Sequence, residues 1–136
     1  AKLNPPLASK NDVQELQNAL KRKEIDLLTT LHQPNSPVNK EVAFFDAAYG
    51  CEALSDALPI YYTKLVKSGT ISLSELIELT VKNPANALGL QAGTIEVGQK
   101  ADFVLFDVSK KSTIDNAQSL YNGQELFGEV TVLSDL

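Results

Sequence analysis

The amino-acid sequence predicts an α/β fold. A helical pattern over residues 9–23 leads directly into a short apolar run at 25–31, and a helix that feeds such a run is one piece of an α/β unit. Amphipathic helical patterns follow at 52–67 and 72–81. After Gly93 the helical spacing gives way to short β-prone runs, so the C-terminal third is predicted to be a small β unit.

The first predicted helix begins at Ser9, after a segment at 2–7 whose consecutive prolines predict an extended loop. The Ser9 hydroxyl can cap free amides of the first turn, and Asp12 lies where negative charge suits the helix dipole. The run at 25–31 hardly alternates between apolar and polar residues. It is therefore predicted to be a strand buried on both faces of a parallel sheet.

The middle of the chain contains a long segment and two helices. Residues 32–49 are more than a simple connection needs, and long loops after buried strands often carry function. The helix at 52–67 is expected to bend at Pro59. Ser72 and Glu75 have the spacing of a capping box that opens the next helix.

The remaining elements are short. Asn83 and Pro84 are predicted to cap and begin a third helix that Gly89 ends. Three strands are predicted after it, at 94–97, 101–106 and 130–133. Because three short strands bury little surface alone, we expect this unit to need a partner sheet.

Composition limits the function classes. With 136 residues, 43% of them hydrophobic, the chain can form one compact domain. A net charge of −5 disfavours nucleic acid and anionic membrane surfaces as partners. The single cysteine, Cys51, cannot form an internal disulfide, and we find neither a membrane-spanning run nor a signal peptide, so a cytoplasmic location is expected. The sequence contains no Met, even at its start, which suggests that it has lost its natural beginning.

Few residues suggest chemistry on their own. One His and one Cys give no zinc-cluster spacing, no Cys-His pair and no complete Ser-His-Asp signature. Gly93 and Gly98 flank a predicted strand and are interpreted as turn residues. The remaining candidate is the segment 29–35, because ligands of α/β proteins bind at the carboxyl ends of strands.

Several short blocks occur in a distinctive order. They are Asn4-Pro5-Pro6-Leu7, then Thr29-Thr30-Leu31-His32-Gln33-Pro34, Gly50-Cys51-Glu52-Ala53, Asn83-Pro84-Ala85, and the block at 93–102. Together they resemble the C-terminal third of dihydroorotase, in particular the bacterial type I enzymes of the cyclic amidohydrolase superfamily. The resemblance covers nearly the whole chain.

The resemblance implies a larger protein, of which this chain is the C-terminal fragment: a (β/α)₈ TIM-barrel metallo-dependent hydrolase with a small β-sandwich. Residues 1–92 would be the end of the barrel, and residues 93–136 the C-terminal strands of the sandwich. Proteins of this family bind zinc and interconvert dihydroorotate and N-carbamoyl-aspartate in pyrimidine biosynthesis.

The resemblance also implies site residues. The family motif Thr-Asp-His-x-Pro-His supplies a metal-binding Asp that acts as base and a final His that contacts substrate, and these positions are Leu31 and Asn35 here. Leucine has neither a lone pair nor an exchangeable proton, so no catalytic residue or metal ligand is intact. Substrate-binding positions are Asn4, Asn35, Tyr49 and Gly50, the last two matching a Phe-Gly pair that contacts substrate through its backbone.

His32 does not stand at a metal-ligand position of the family, so we expect a structural hydrogen-bonding role for it. The zinc of the family is therefore not expected to be bound by this chain alone.

Three hypotheses remain open. The chain can belong to a non-catalytic dihydroorotase homologue that serves as a scaffold for aspartate carbamoyltransferase and whose pocket still accepts a dihydroorotate-like molecule. It can belong to an active zinc amidohydrolase with a different ligand set, or be an independent small binding domain. A barrel strand needs neighbours, so we also expect the chain alone to expose an apolar patch and to self-associate.

Overall fold

The structure is a computed structural model that describes residues 2–133 as short helices followed by one antiparallel strand pair. Two helices continue into single π-helical turns, at Tyr62–Val66 and Glu78–Lys82. The α-helices and strands are α1 (Lys10–Lys21), α2 (Pro37–Lys40), α3 (Ala57–Tyr61), α4 (Leu73–Ile77), α5 (Asn83–Leu88), β1 (Phe103–Thr113) and β2 (Glu125–Leu133).

Helix α1 begins as predicted. The Ser9 hydroxyl accepts a hydrogen bond from the Asp12 amide at 3.3 Å, and the Asp12 carboxylate accepts one from the Ser9 amide at 3.0 Å. This reciprocal capping box satisfies two amides that the first turn leaves free. The side-chain and backbone hydrogen bonds from Ser9 lower the pKa of the Asp12 carboxyl, because they stabilise its charged form. The helix buries Leu20.

The predicted buried strand at 25–31 is wrong for the described residues. The segment has no regular secondary structure and no ladder partner within 2–133, and Leu27 and Leu31 are exposed. Two isolated bonds hold it: the Leu28 amide donates to the Leu79 carbonyl, and the Asn83 side chain donates to the Asp26 carbonyl. An apolar run becomes a strand only where a neighbouring strand accepts its backbone hydrogen bonds.

The helix predicted at 52–67 begins later than expected. Residues 52–56 are not helical, and α3 begins at Ala57. Pro59 does not bend a helix; it lies in the first turn of α3, where its missing amide hydrogen costs no helical hydrogen bond. A helix that began at Glu52 would need the amide that Pro59 lacks.

The predicted capping box at Ser72 is confirmed, with the Glu75 amide donating to the Ser72 hydroxyl at 3.2 Å and the Ser72 amide donating to the Glu75 carboxylate at 2.8 Å. The predicted third helix is observed as α5, which begins at Asn83, but Asn83 does not cap it. Asn83 has helical backbone angles, so α4, the π-helical turn and α5 form one continuous helical stretch. Gly89 ends it with a left-handed φ of 67°, as predicted.

The β unit contains two strands in the described residues. The predicted strand at 94–97 is wrong, because no strand pairs with it and Ile95 is 85% exposed. The predicted strands at 101–106 and 130–133 fall largely within β1 and β2, which pair antiparallel with Phe103 opposite Leu133 and Thr113 opposite Glu125. The register shifts between Asp107 and Lys111.

The strand pair packs against α3. Ile60 of α3 forms a buried cluster with Ile114 and Leu126, and the Tyr62 and Phe106 rings meet edge to face at 5.3 Å. A helix that covers one face of two strands supplies the burial that two strands lack alone. A second cluster lies under the helical stretch and contains Leu20, Ile71, Leu76 and Leu79.

The described residues expose many apolar side chains, as expected. Leu88, Leu105 and Val132 are each more than half exposed. Whether these side chains drive self-association stays a prediction. None of the helices in residues 2–133 has both the length and the apolar character that crossing a membrane requires.

Candidate functional site

Three of the predicted site positions meet at one cleft. Asn4, Leu31 and Gly50 line a cavity of about 220 Å³, together with Cys51 and Tyr61. The cavity lies where the segment before α1, the end of the 25–31 run and the loop before Cys51 converge. The structure thus brings together three predicted positions that are up to 46 residues apart in the sequence, from Asn4 to Gly50.

Leu31 has an unusual backbone conformation at this cleft. Its φ is +47°, in the left-handed region that Asn, Asp and Gly adopt more readily than branched aliphatic residues. Its side chain is 58% exposed and carries no atom that could bind a metal or accept a proton.

His32 has the structural role that its sequence position suggested. Its Nδ1 accepts hydrogen bonds from the amides of Ala53 and Leu54, each at 3.1 Å. Nδ1 must therefore be unprotonated and its lone pair engaged. The imidazole fastens the 29–35 segment to the chain that precedes α3.

The residues present do not fit a zinc site. Leu31, at the position where the resemblance implies a metal ligand, offers no donor atom, and the Nδ1 lone pair of His32 is taken by two amides. Between residues 2 and 133, no three His, Cys, Asp or Glu side chains come close enough to share a metal ion.

Asn35 lies at a neighbouring cleft rather than at the one that Asn4 lines. This second cavity, of about 420 Å³, is lined by Asn35, Lys40, Gly50 and Cys51. The Asn35 side-chain amide donates to the Tyr49 carbonyl at 2.7 Å, which holds the loop that carries Tyr49 and Gly50. Gly50 and Cys51 form the wall between the two cavities.

Gly50 is required at its position. Its φ is +107°, and a Cβ added there would collide with the Gln33 carbonyl oxygen and the Gln33 Cβ. Its amide donates to the Lys2 carbonyl at 2.9 Å. The close approach of Gly50 to Gln33 fixes the wall between the two cavities against the 29–35 segment.

Tyr49 lies outside the linings of both cavities. Its ring is half exposed, and the Lys2 ammonium lies 4.6 Å from its centre. The same ammonium donates to the Phe45 carbonyl at 2.7 Å. Lys2 therefore secures the loop through its backbone and its side chain.

Lys40 is a site residue that the sequence reasoning missed. Its Nζ donates to the carbonyls of Ala48 at 2.9 Å and Gly50 at 2.8 Å, and its side chain is partly buried. A lysine in a polar loop carries no signal that distinguishes it from a solvated surface charge. Only the folded path of the loop brings residues 48 and 50 to it.

Tyr61 closes the first cavity on the α3 side, near Tyr121. Burial of the Tyr61 hydroxyl, with a smaller effect of Tyr121, raises its pKa. The hydroxyl is therefore protonated at neutral pH and can donate a hydrogen bond.

Known proteins share sequence similarity and fold with this chain. A dihydroorotase from Clostridium botulinum is 37% identical over 136 residues, which cover 95% of this chain and 33% of the relative. A probable dihydroorotase-like protein from Helicobacter pylori is 36% identical over 129 residues, 95% of this chain and 34% of that protein. The crystal structure of dihydropyrimidinase from Brevibacillus agri superimposes with a TM-score of 0.89 at 31% identity, over 98% of this chain and 32% of that structure.

The chain thus spans about a third of the length of the relatives it matches. The profile of the amidohydrolase family matches residues 9–132, which include the cleft residue Leu31, strand β1 and all but the last residue of β2. With that match and the shared fold, the chain belongs to the amidohydrolase family and is similar to dihydroorotases over nearly its whole length.

Proposed function

We propose that this chain is the C-terminal part of a dihydroorotase-like protein that has lost the hydrolysis of cyclic amides. The observation that carries the proposal is Leu31, which lines the cleft at the position where the resemblance implies the catalytic Asp. Hydrolysis of dihydroorotate needs a base that can take up and release a proton beside the scissile amide. An aliphatic side chain cannot do this. Among the described residues, no carboxylate or imidazole lines this cavity.

The pocket itself is proposed to persist and to accept a dihydroorotate-like molecule. Asn4 supplies a side-chain amide at the cavity, and Gly50 keeps a conformation that only glycine fits. The close contact of Gly50 with Gln33 holds the wall between the two cavities in place. The proposed protein therefore binds the ligand class of its relatives without converting it.

We further propose the organisation that the resemblance implies. Residues 1–92 would complete a TIM barrel, and residues 93–136 would join a β-sandwich with strands from elsewhere in the protein. Exposed apolar residues of the strand pair, such as Leu105 and Val132, support a partner sheet. Aspartate carbamoyltransferase is the proposed partner, and co-purification of the full-length protein with that enzyme would test it.

The experiment that tests the proposed function compares the full-length protein with its Leu31→Asp variant after reconstitution with zinc. Dihydroorotate binding is measured by calorimetry and hydrolysis by absorbance. We expect both proteins to bind dihydroorotate, the wild type to show no hydrolysis, and Leu31→Asp to gain some. A wild type that hydrolyses dihydroorotate, with little change in Leu31→Asp, would instead support an active enzyme with a different ligand set.

A further inference from the structure

The first cavity has an uncharged lining. None of the described residues that line it is a Lys, Arg, His, Asp or Glu, and aliphatic side chains such as Leu31, Ile60 and Leu120 form much of its surface. A carboxylate that enters such surroundings loses its hydration and meets no opposite charge. This wall therefore favours an uncharged part of a ligand, provided that this part finds a hydrogen-bond partner.

Tyr61 connects this cavity with the hydrophobic core. The residue lines the cavity, and it also packs against the buried cluster of Leu20, Ile71, Leu76 and Leu79. Because this packing restricts the rotamers of the ring, the phenol is held in place before any ligand arrives. A donor that is fixed in advance loses less conformational entropy on binding than a mobile side chain does.

The hydroxyl of Tyr61 has no hydrogen-bond partner among residues 2–133. Burial of the hydroxyl, with a smaller effect of Tyr121, raises its pKa, so it keeps its proton at neutral pH. A partly buried donor without an acceptor costs free energy, which an acceptor on a ligand in the cavity would recover. In an uncharged lining, the acceptor that suits a protonated phenol is a neutral carbonyl oxygen.

The next residue along the chain, Tyr62, provides a contrast. It lines neither of the two cavities, and its ring meets the Phe106 ring edge to face at 5.3 Å. Its hydroxyl also lacks a hydrogen-bond partner within residues 2–133. The two consecutive tyrosines therefore differ in whether they line the cavity, which makes Tyr62 a matched control.

We propose that Tyr61 is a ligand-binding residue whose hydroxyl donates a hydrogen bond to a ring carbonyl of the dihydroorotate-like ligand, with the carboxylate of the ligand directed away from this wall. This inference rests on the proposed function, because it names the part of the ligand that the first cavity contacts. Tyr61 then contributes equally to the binding of dihydroorotate and of dihydrouracil, which has the same ring without the carboxylate.

The test measures the Kd of both compounds by calorimetry for the full-length wild type, Tyr61→Phe and Tyr62→Phe. Phenylalanine keeps the ring and its packing and removes only the hydroxyl. We expect Tyr61→Phe to raise both Kd values by a similar factor, about three- to tenfold, which is the usual net contribution of one hydrogen bond. Tyr62→Phe should change neither Kd.

The unfolding midpoints in urea separate binding from folding. The two variants should have similar midpoints, because each loses a hydroxyl without a partner in the described residues. A lower midpoint for Tyr61→Phe alone would show that the hydroxyl serves the fold, and would overturn the inference.

The binding results distinguish this inference from the proposed function. If the wild type binds both compounds and Tyr61→Phe binds them equally well, the inference fails and the proposed function stands. If Tyr61→Phe loses affinity for dihydroorotate alone, the hydroxyl contacts the carboxylate, and the assignment to a ring carbonyl is overturned. A wild type that binds neither compound would overturn the proposed function and this contact together.

Discussion

The Thr63 hydroxyl lies 2.8 Å from the amide nitrogen of Phe127 and 3.4 Å from its carbonyl oxygen. It accepts from the amide and donates to the carbonyl, so one side chain joins the π-helical turn after α3 to the middle of β2. Both residues are partly buried. The two hydrogen bonds between Thr63 and Phe127 fix the position of the strand pair relative to α3, which lines the cleft.

Replacing Thr63 with Val should therefore destabilise the protein. Valine has a similar shape but leaves the Phe127 amide without its acceptor, which costs about 1–3 kcal/mol. The measurement is urea unfolding of the full-length protein. Thr131→Val is the matched control, because Thr131 is exposed on the same strand, and its effect should stay within about 0.5 kcal/mol. Equal effects of the two substitutions would contradict the role of Thr63.

Gly50→Ala should destabilise more than an ordinary glycine substitution. The strain of a left-handed φ at alanine adds to the collision of its Cβ with Gln33, so the free energy of unfolding should fall by about 2–4 kcal/mol. Gly69 is the matched control, because its φ is +75° but no atom lies within 4 Å of an added Cβ. Gly69→Ala should cost about 1 kcal/mol. The comparison isolates the steric contact, and similar unfolding midpoints for both variants would show that the wall can shift.

Leu31→Asn should stabilise the fold by about 1 kcal/mol, because asparagine tolerates a φ of +47° better than leucine. Leu54→Asn serves as control, since Leu54 is similarly exposed, at 63%, and has an ordinary negative φ. Thermal unfolding of both variants measures the difference. A loss of stability in Leu31→Asn as large as in Leu54→Asn would mean that the backbone at Leu31 is not strained.

The two capping boxes predict a pH dependence of stability. Hydrogen bonds from Ser72, first from its backbone and then from its side chain, lower the pKa of the Glu75 carboxyl below its usual 4.5. A depressed carboxyl pKa stabilises the folded state above the usual value, and the contribution is lost as the pH falls through the lower, folded-state pKa. The pKa of the Asp12 carboxyl is also lowered, from its usual value of 3.8, so its contribution to stability is likewise lost as the pH falls.

The double variant Asp12→Asn, Glu75→Gln should therefore lose less stability than the wild type when the pH is lowered from neutral to below 4.5. Urea unfolding at a series of pH values measures it. Ser72→Ala should reproduce part of the effect, because it removes the hydroxyl that donates to Glu75. If the double variant had the pH profile of the wild type, the capping boxes would not be the source of the pH dependence of stability.

Sequence reasoning succeeded where the cause is local. The capping boxes at Ser9 and Ser72 join residues three positions apart, and the helix end at Gly89 depends on the φ angle of that glycine. It failed at 25–31 and 94–97, because a strand depends on a distant chain that no periodicity reveals.

The candidate site shows the same division. The resemblance placed Asn4, Leu31 and Gly50, and the structure brings them to one cleft. It also placed Asn35, which lines the second cavity, and Tyr49, which lies outside both linings, and the binding role of each stays a prediction. Lys40 was not predicted, because only the irregular path of the loop brings the carbonyls of residues 48 and 50 to its ammonium.

Catalysis is proposed to be lost at Leu31, and steady-state hydrolysis of dihydroorotate by the zinc-reconstituted full-length wild type measures this loss. We expect a rate no higher than that in buffer, from a protein that still binds dihydroorotate. Turnover in the ordinary enzymatic range, roughly 1–10³ s⁻¹, would contradict the claim and show that another group supplies the missing base.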